Sequence, residues 1–227
     1  QHYDEAIDRF LESLAIAKEL GNETQIVRIL GNLGWCYLKL GDYEKATSTY
    51  DDAQNLAAKL GLLNDQQLEL NTLGLIHSQQ RDYTGASTYY NRALDITRKL
   101  GNKSGTGIAL TNLASAALNS KQFDLADRYN HEALELVTAI GDKPTASYIL
   151  LNSGRIAIGK KQYREAAKLF EQVIRETEDV SLHWEAESNL AGLYATEGNN
   201  AMADTHYRKA LETIDKARAA LSSDEHR

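Results

Sequence analysis

Four asparagines, Asn32, Asn112, Asn152 and Asn189, recur along the 227-residue chain at intervals of 80, 40 and 37 residues. A side-chain amide both donates and accepts hydrogen bonds, so a row of them can pair with a peptide backbone whatever the peptide's sequence. Asparagine is also a poor residue for the middle of a helix, so its recurrence asks for a reason. Either the amides bind a ligand, or they are relics of duplication that bond a neighbouring helix. Trp35, Tyr148 and Arg155 accompany them. Aromatics and arginine are frequent anchors of protein interfaces, and packing inside the fold is the alternative use of each.

Catalytic chemistry has little to work with. Cys36 is the only cysteine and falls at a helix packing position, which reads as a structural thiol. The histidines are His2, His77, His131, His183, His206 and His226, and none forms an HExxH motif or a paired metal spacing. His77 shares its repeat position with Tyr37 and Tyr194, which reads as core packing. There is no glycine-rich phosphate loop, and the scattered Asp and Glu read as solvated faces and caps. The expectation is a protein that is not an enzyme and uses no metal or cofactor.

An internal repeat supplies the elements that position these residues. Ala6, Ala46, Ala86, Ala126, Ala166 and Ala203 are spaced by 40 residues four times and then by 37. Tyr3, Tyr43, Tyr83, Phe123 and Tyr163 precede five of them by three residues. Such periodicity marks a duplicated supersecondary unit. Between Glu23 and Leu40, the apolar residues Val27, Leu30, Leu33, Tyr37 and Leu40 share one helical face. A second helix runs from Tyr43 to Leu60, and Gly41-Asp42 separates the two. Glycine suits the left-handed end of one helix, and aspartate caps the next. Gly21, Gly61, Gly101 and Gly141 mark the ends of second helices; Gly41 and Gly198 end first helices, where Arg81, Lys121 and Lys161 also stand.

The organisation is read as one array over 1–227. An unpaired second helix (1–22) precedes five repeats at 23–62, 63–102, 103–142, 143–179 and 180–221, and 222–227 is a tail leading to missing sequence. The second helix of the fourth repeat is the short one. The chain begins inside a repeat without an initiator methionine, so a fragment of a longer protein is expected.

Small residues also recur inside the first helices, at Gly34, Gly74, Ala114, Gly154 and Ala191. Glycine there costs about 1 kcal/mol against alanine. Close helix approach would compensate, with Tyr50, Tyr90, Phe170 or Tyr207 filling the space opposite.

These residues carry a resemblance. Leu33-Gly34-x-x-Tyr37 with Ala46, Tyr50 and Ala53 resembles the tetratricopeptide repeat signature. Leu73-Gly74, Ala86, Tyr90 and Ala93 repeat it, as do Leu190-Ala191-x-x-Tyr194, Ala203, Tyr207 and Ala210. The family's usual tryptophan is replaced by Leu30, Leu70, Leu110 and Leu150, its usual proline is missing, and the period is longer than the common 34 residues. The length resembles a long-repeat subclass of about 40 residues. The resemblance implies an all-α fold, the α-α superhelix of antiparallel helix pairs, whose first helices line a concave groove. Asn32-Leu33-Gly34-Trp35-Cys36-Tyr37, Asp127-Arg128-Tyr129-Asn130 and Lys216-Ala217-Arg218-Ala219-Ala220-Leu221 are similar to bacterial arrays that precede a CHAT domain, a caspase-like protease fold. The protease's own His and Cys are not in this chain.

On the groove side the repeats offer Arg28, Asn32, Trp35 and Lys39; then Asn71 and Gln79; then Asn112, Ser115 and Asn119; then Tyr148, Asn152 and Arg155; and last Asn189. The expected function is a protein-interaction module that binds a peptide or protein segment there, as a sensor or regulatory region of a larger protein. The alternative is a structural spacer or self-association module working through open ends. A net charge of −7 disfavours nucleic acid and anionic membrane as partners, which need basic patches. One cysteine excludes an internal disulfide and makes a reducing cytoplasm the default. No signal peptide opens the chain, and no apolar run approaches the roughly 20 residues of a membrane span. Ala126→Leu or Gly154→Leu should overpack the helix junctions and cost roughly 1–3 kcal/mol; an unchanged melting curve would show that the register is wrong.

Overall fold

The computed structural model describes residues 3–224, and side chains through residue 219. His2, His226, the side chain of Leu221 and the end of the tail lie outside the described residues. Eleven helices and no strand occur among the described residues. They are α1 (Tyr3–Glu19), α2 (Glu23–Leu40), α3 (Tyr43–Leu60), α4 (Leu63–Gln79), α5 (Tyr83–Lys99), α6 (Lys103–Asn119), α7 (Phe123–Ala139), α8 (Lys143–Gly159), α9 (Tyr163–Glu176), α10 (Val180–Thr196) and α11 (Asn200–Asp224). First helices thus begin at Glu23, Leu63, Lys103, Lys143 and Val180, and α9 is three residues shorter than α5 or α7, as the 37-residue interval predicts.

The turns explain why the helices stop. Gly21, Gly41, Gly61, Gly101, Gly141 and Gly198 all have positive φ, a region glycine enters without steric cost. Arg81, Lys121 and Lys161 adopt the same conformation, with φ of 60–62°. Their backbone bonds match those of the glycine turns. Arg81 N–H donates to the Ser78 carbonyl and Asp82 N–H to that of His77, as Gly41 and Asp42 donate to Leu38 and Tyr37. The next helix is then capped: Asn22, Asp42, Asp82, Asn102 and Asp142 each accept the backbone N–H three residues on.

Clustering of the contacts divides the chain into two compact units, Gln1–Ala116 and Ala117–Arg227. In the N-terminal unit, Leu14, Ala17 and Ile29 form one buried cluster, and Ala46, Tyr50, Leu73 and Ile76 another. In the C-terminal unit, Leu151, Phe170, Leu190 and Leu193 lie in the largest cluster, and Ala117, Ala126 and Ile156 form a smaller one. The small-to-aromatic pairing is present at Gly34–Tyr50, Gly74–Tyr90 and Gly154–Phe170: a Cβ on any of these glycines would press into the opposite ring. At the position of the fourth expected pair the ring is not buried. Ala191 is buried, but Tyr207 is 47% exposed. In earlier repeats this ring is covered by the next first helix, and α11 is the last described helix.

The three non-glycine turns carry strain of about 1–2 kcal/mol each. Arg81→Gly relieves it while adding freedom to the unfolded chain. The expected net gain is about 0.5–1 kcal/mol in urea unfolding, and Gly141→Ala should lose a similar amount; a destabilised Arg81→Gly would contradict this account.

Candidate functional site

Residues 28, 32, 35 and 39 fall on one stripe of α2, because spacings of three and four return to the same helical face. The apolar residues Val27, Leu33 and Cys36 are consumed in packing, which leaves this stripe outward. Arg28, Asn32, Trp35 and Lys39 are all exposed. Trp35 is 46% exposed; the ring of Tyr3 meets it edge-on at 5.4 Å, and the Lys39 ammonium lies 5.4 Å from its centroid. The matching stripe of α4 exposes Leu68, Leu75 and Gln79, with Thr72 half-buried. On α6, Ile108 is exposed while Asn112 and Ser115 are half-buried. In the N-terminal unit the stripes of α2, α4 and α6 therefore leave large apolar side chains exposed, Trp35, Leu68, Leu75 and Ile108, in company with amides and the cations of α2. Asn71 is half-buried, and its Oδ1 has no hydrogen-bond partner among the described residues.

The C-terminal unit differs. Tyr148 and Asn119 are exposed. Asn152, however, is only 2% exposed and is engaged within the fold. Arg155 donates to the Glu185 carboxylate at 2.8 Å, an ion pair that ties α8 to α10. Asn189 is half-buried and donates 2.7 Å back to the Glu185 carbonyl of its own helix. The four aligned asparagines thus stand at different depths. The helices α8 and α10 touch, and the Arg155–Glu185 pair bridges them one turn from Asn152.

Two buried carboxylates escape a search by motif. Glu69 is 5% exposed. Its carboxyl rests against Gly31, where an added Cβ would stand 2.6 Å from Oε1. Burial, helped by the charge of Asp65, pushes it up to about 7. The neighbouring Tyr50 hydroxyl is raised by burial and by Glu69 and Cys36. Glu187 is buried against His206, 2.5 Å from Nδ1, and Tyr194 stacks on the imidazole at 5.4 Å. Repeat alignment holds the signal for both. Glu69 occupies the column of Ile29, Ala109, Ile149 and Ala186, and Glu187 that of Leu30, Leu70, Leu110 and Leu150. An acid in an otherwise apolar column is a buried acid, not a solvated face or a cap.

The remaining titratable groups are as follows. Cys36 is buried, which pushes its thiol up. His77 is not in the core: it is half-buried, pairs with the capping Asp82 at 2.8 Å and lies 5.0 Å from the Tyr89 ring. No cluster of metal-ligating side chains occurs among the described residues. None of the described helices is long and apolar enough to cross a membrane.

Because the Glu69 carboxyl is raised in the folded state, its penalty is absent below the unfolded value of 4.5, grows as pH rises, and is complete above about 7. Glu69→Gln should therefore stabilise the chain by roughly 1–3 kcal/mol at pH 8 and hardly at all at pH 4.5. Urea unfolding across that range checks the slope, and a gain independent of pH would contradict the burial of a titrating acid.

Known proteins place this geometry. No curated protein sequence matches the chain. Among solved structures it is similar to BtubC from P. vanneervenii, with 20% identity, a TM-score of 0.79, and coverage of 98% of this chain and 93% of that one. It is also similar to a signal-transduction ATPase with a tetratricopeptide repeat sensor from Pyrococcus horikoshii (18% identity, TM-score 0.63, 99% of this chain and 38% of that one). A third is the quorum sensor NprR from B. thuringiensis (15% identity, TM-score 0.67, 92% of this chain and 60% of that one). These likenesses concern the fold. Models of the tetratricopeptide repeat match residues 1–59, 66–129 and 105–175, and a second such model matches 151–219. With its 40-residue helix pairs, left-handed turns and glycine–aromatic junctions, the chain belongs to the tetratricopeptide repeat family.

Proposed function

We propose that the chain is a non-enzymatic interaction module that holds a peptide or protein segment along the exposed stripes of its first helices. The observation that carries this reading is the exposed set Trp35, Leu68, Leu75 and Ile108 in the N-terminal unit. These large apolar side chains remain open to solvent, with Leu68 at 60%, although the fold buries or half-buries most others of their kind. Apolar surface rimmed by polar groups marks interaction sites. Asn32 and Asn112 add amides for a backbone, and Arg28 and Lys39 add positive charge at one edge. Asn152 is buried and Arg155 is paired with Glu185, so neither carries this reading. The names of two similar proteins, a quorum sensor and an ATPase with a repeat sensor, support a sensing role.

In the parent protein, the module would sense or recruit a partner for an attached effector in a reducing cytoplasm. The CHAT-type reading of that effector rests on three local strings. The residues that follow Arg227 decide it: a caspase-like domain with its His and Cys supports it, and a stop codon removes it.

A second reading, self-association, is favoured by Leu11, Ile16 and Leu20 on α1 and by Tyr207 and Leu211 on α11, all exposed. Light scattering separates the two, since a strict monomer at high concentration argues against it. For the groove, peptides selected from a random library against the whole chain should lose affinity about tenfold with Trp35→Ala, roughly the 1.4 kcal/mol of one interface anchor, with helical content unchanged. Selected peptides that bind Trp35→Ala and Leu75→Ser as well as the parent would remove the groove reading.

A further inference from the structure

A second pocket opens on the other side of α2. Tyr37 lies two residues beyond Trp35, a rotation of about 200°, so the two rings face nearly opposite directions. The pocket lies between α1 and α3 and has a volume of about 520 Å³, within the range of small-ligand sites. Its floor is apolar: Leu14 from α1 and Leu30, Leu33 and Tyr37 from α2. Thr49 closes it from α3, and Asp42, Glu44 and Asp52 stand with Lys18 and Lys45 around it.

The repeats explain why the space is open. Thr49 aligns with Tyr89, Tyr129, Leu169 and His206, so it is the small member of a bulky column. In the second and fifth repeats that ring packs on the residue aligned with Tyr37. Tyr89 lies 5.0 Å from His77, inclined at 31°, and His206 stacks on Tyr194 at 5.4 Å and 16°. The Arg92 guanidinium also lies over Tyr89, 5.9 Å from its centroid. In the first repeat a threonine stands in place of that ring; Tyr37 packs against the cluster of Ala46, Tyr50, Leu73 and Ile76, and the Lys45 ammonium lies 5.4 Å from its centroid. Lys45 is in turn paired with Asp42 at 3.0 Å. Of the three carboxylates, Glu44 and Asp52 therefore face an incoming group with Lys18 as the remaining cation.

We propose that this pocket is a binding site for an aromatic side chain carried on a basic segment of a partner protein. The ring lies against Tyr37 as Tyr89 lies against His77, over the floor of Leu30 and Leu33. The flanking basic residues meet Glu44 and Asp52. The chemistry is that of the fold's own repeats, with one ring supplied from outside the chain. The site is independent of the groove reading, since it uses the opposite face of α2.

The test uses the whole chain, isotopically labelled, titrated with acetyl-Lys-Tyr-Lys-amide to millimolar concentration. Shift changes are expected at Leu33, Tyr37 and Thr49. Acetyl-Lys-Ala-Lys-amide should leave these signals in place, and acetyl-Glu-Tyr-Glu-amide should bind at least threefold more weakly. Thr49→Tyr restores the column's own ring and Thr49→Leu copies the fourth repeat; both should weaken binding at least tenfold, while Trp35→Ala leaves it unchanged. If Thr49→Tyr fails to fold by circular dichroism, Thr49→Leu decides alone. Binding that survives in the folded variants, equal shifts with the alanine peptide, or shifts confined to other residues would each overturn the proposal.

Discussion

The structure depends on how closely the first and second helix of each repeat approach. Gly34, Gly74 and Gly154 leave room for one ring each, and Tyr50, Tyr90 and Phe170 enter that room until a Cβ on the glycine would press on the ring. A helix pair of this kind cannot bury its apolar surface alone, so each stacks on its neighbour. Leu73 and Ile76 of α4 complete the cluster begun by Ala46 and Tyr50 of α3. Phe170 of α9 is sealed by Leu190 and Leu193 of α10 in the same way. Glycine's cost inside a helix is offset by the ring contact it permits, and the ring in turn sets the spacing at which the next pair packs.

That stacking assigns every side of a first helix a task. The faces toward the second helix and toward the neighbouring repeat are largely consumed by packing, and on α2 the stripe of Arg28, Asn32, Trp35 and Lys39 is left exposed. Residues on such a stripe are free to carry recognition because the fold makes no demand on them. The N-terminal unit uses this freedom for exposed apolar groups. The C-terminal unit spends part of it on the Arg155–Glu185 ion pair. The same family of positions therefore stands exposed in one unit and forms a helix-to-helix tie in the other.

The sequence carried this architecture in a readable form where a local rule sufficed. Helix starts and stops followed from glycines and aspartates, and Arg81, Lys121 and Lys161 kept the left-handed turn because the two N–H bonds that close it matter more than the strain. Depth was the unreadable quantity. Asn32 and Asn152 occupy one column, yet only the second is buried. Tyr207 keeps perfect register with Tyr50 and is exposed, since a residue's burial in a stack is decided by the helix that covers it. Periodicity reports direction around an axis and says nothing about what lies opposite.

The residues that break a column are therefore more informative than those that keep it. A duplicated array begins with interchangeable repeats, and what the fold requires is whatever all copies retain. Thr49, Glu69, Asn130 and Glu187 each depart from an otherwise consistent column, and none is neutral in effect. Thr49 leaves a pocket where other repeats have a ring or a branched side chain. Glu69 places a carboxylate in an apolar junction, and Glu187 does so with His206 as its partner. Asn130 takes the place of Tyr50, Tyr90 and Phe170 and turns its amide to the Ile149 carbonyl and Ser153 hydroxyl, with Oδ1 buried. Each exchanges apolar packing for polarity or space, and each does so in a different repeat. The repeats have ceased to be equivalent while keeping their geometry. A stack with this property can distinguish positions along its length, which a set of identical repeats cannot.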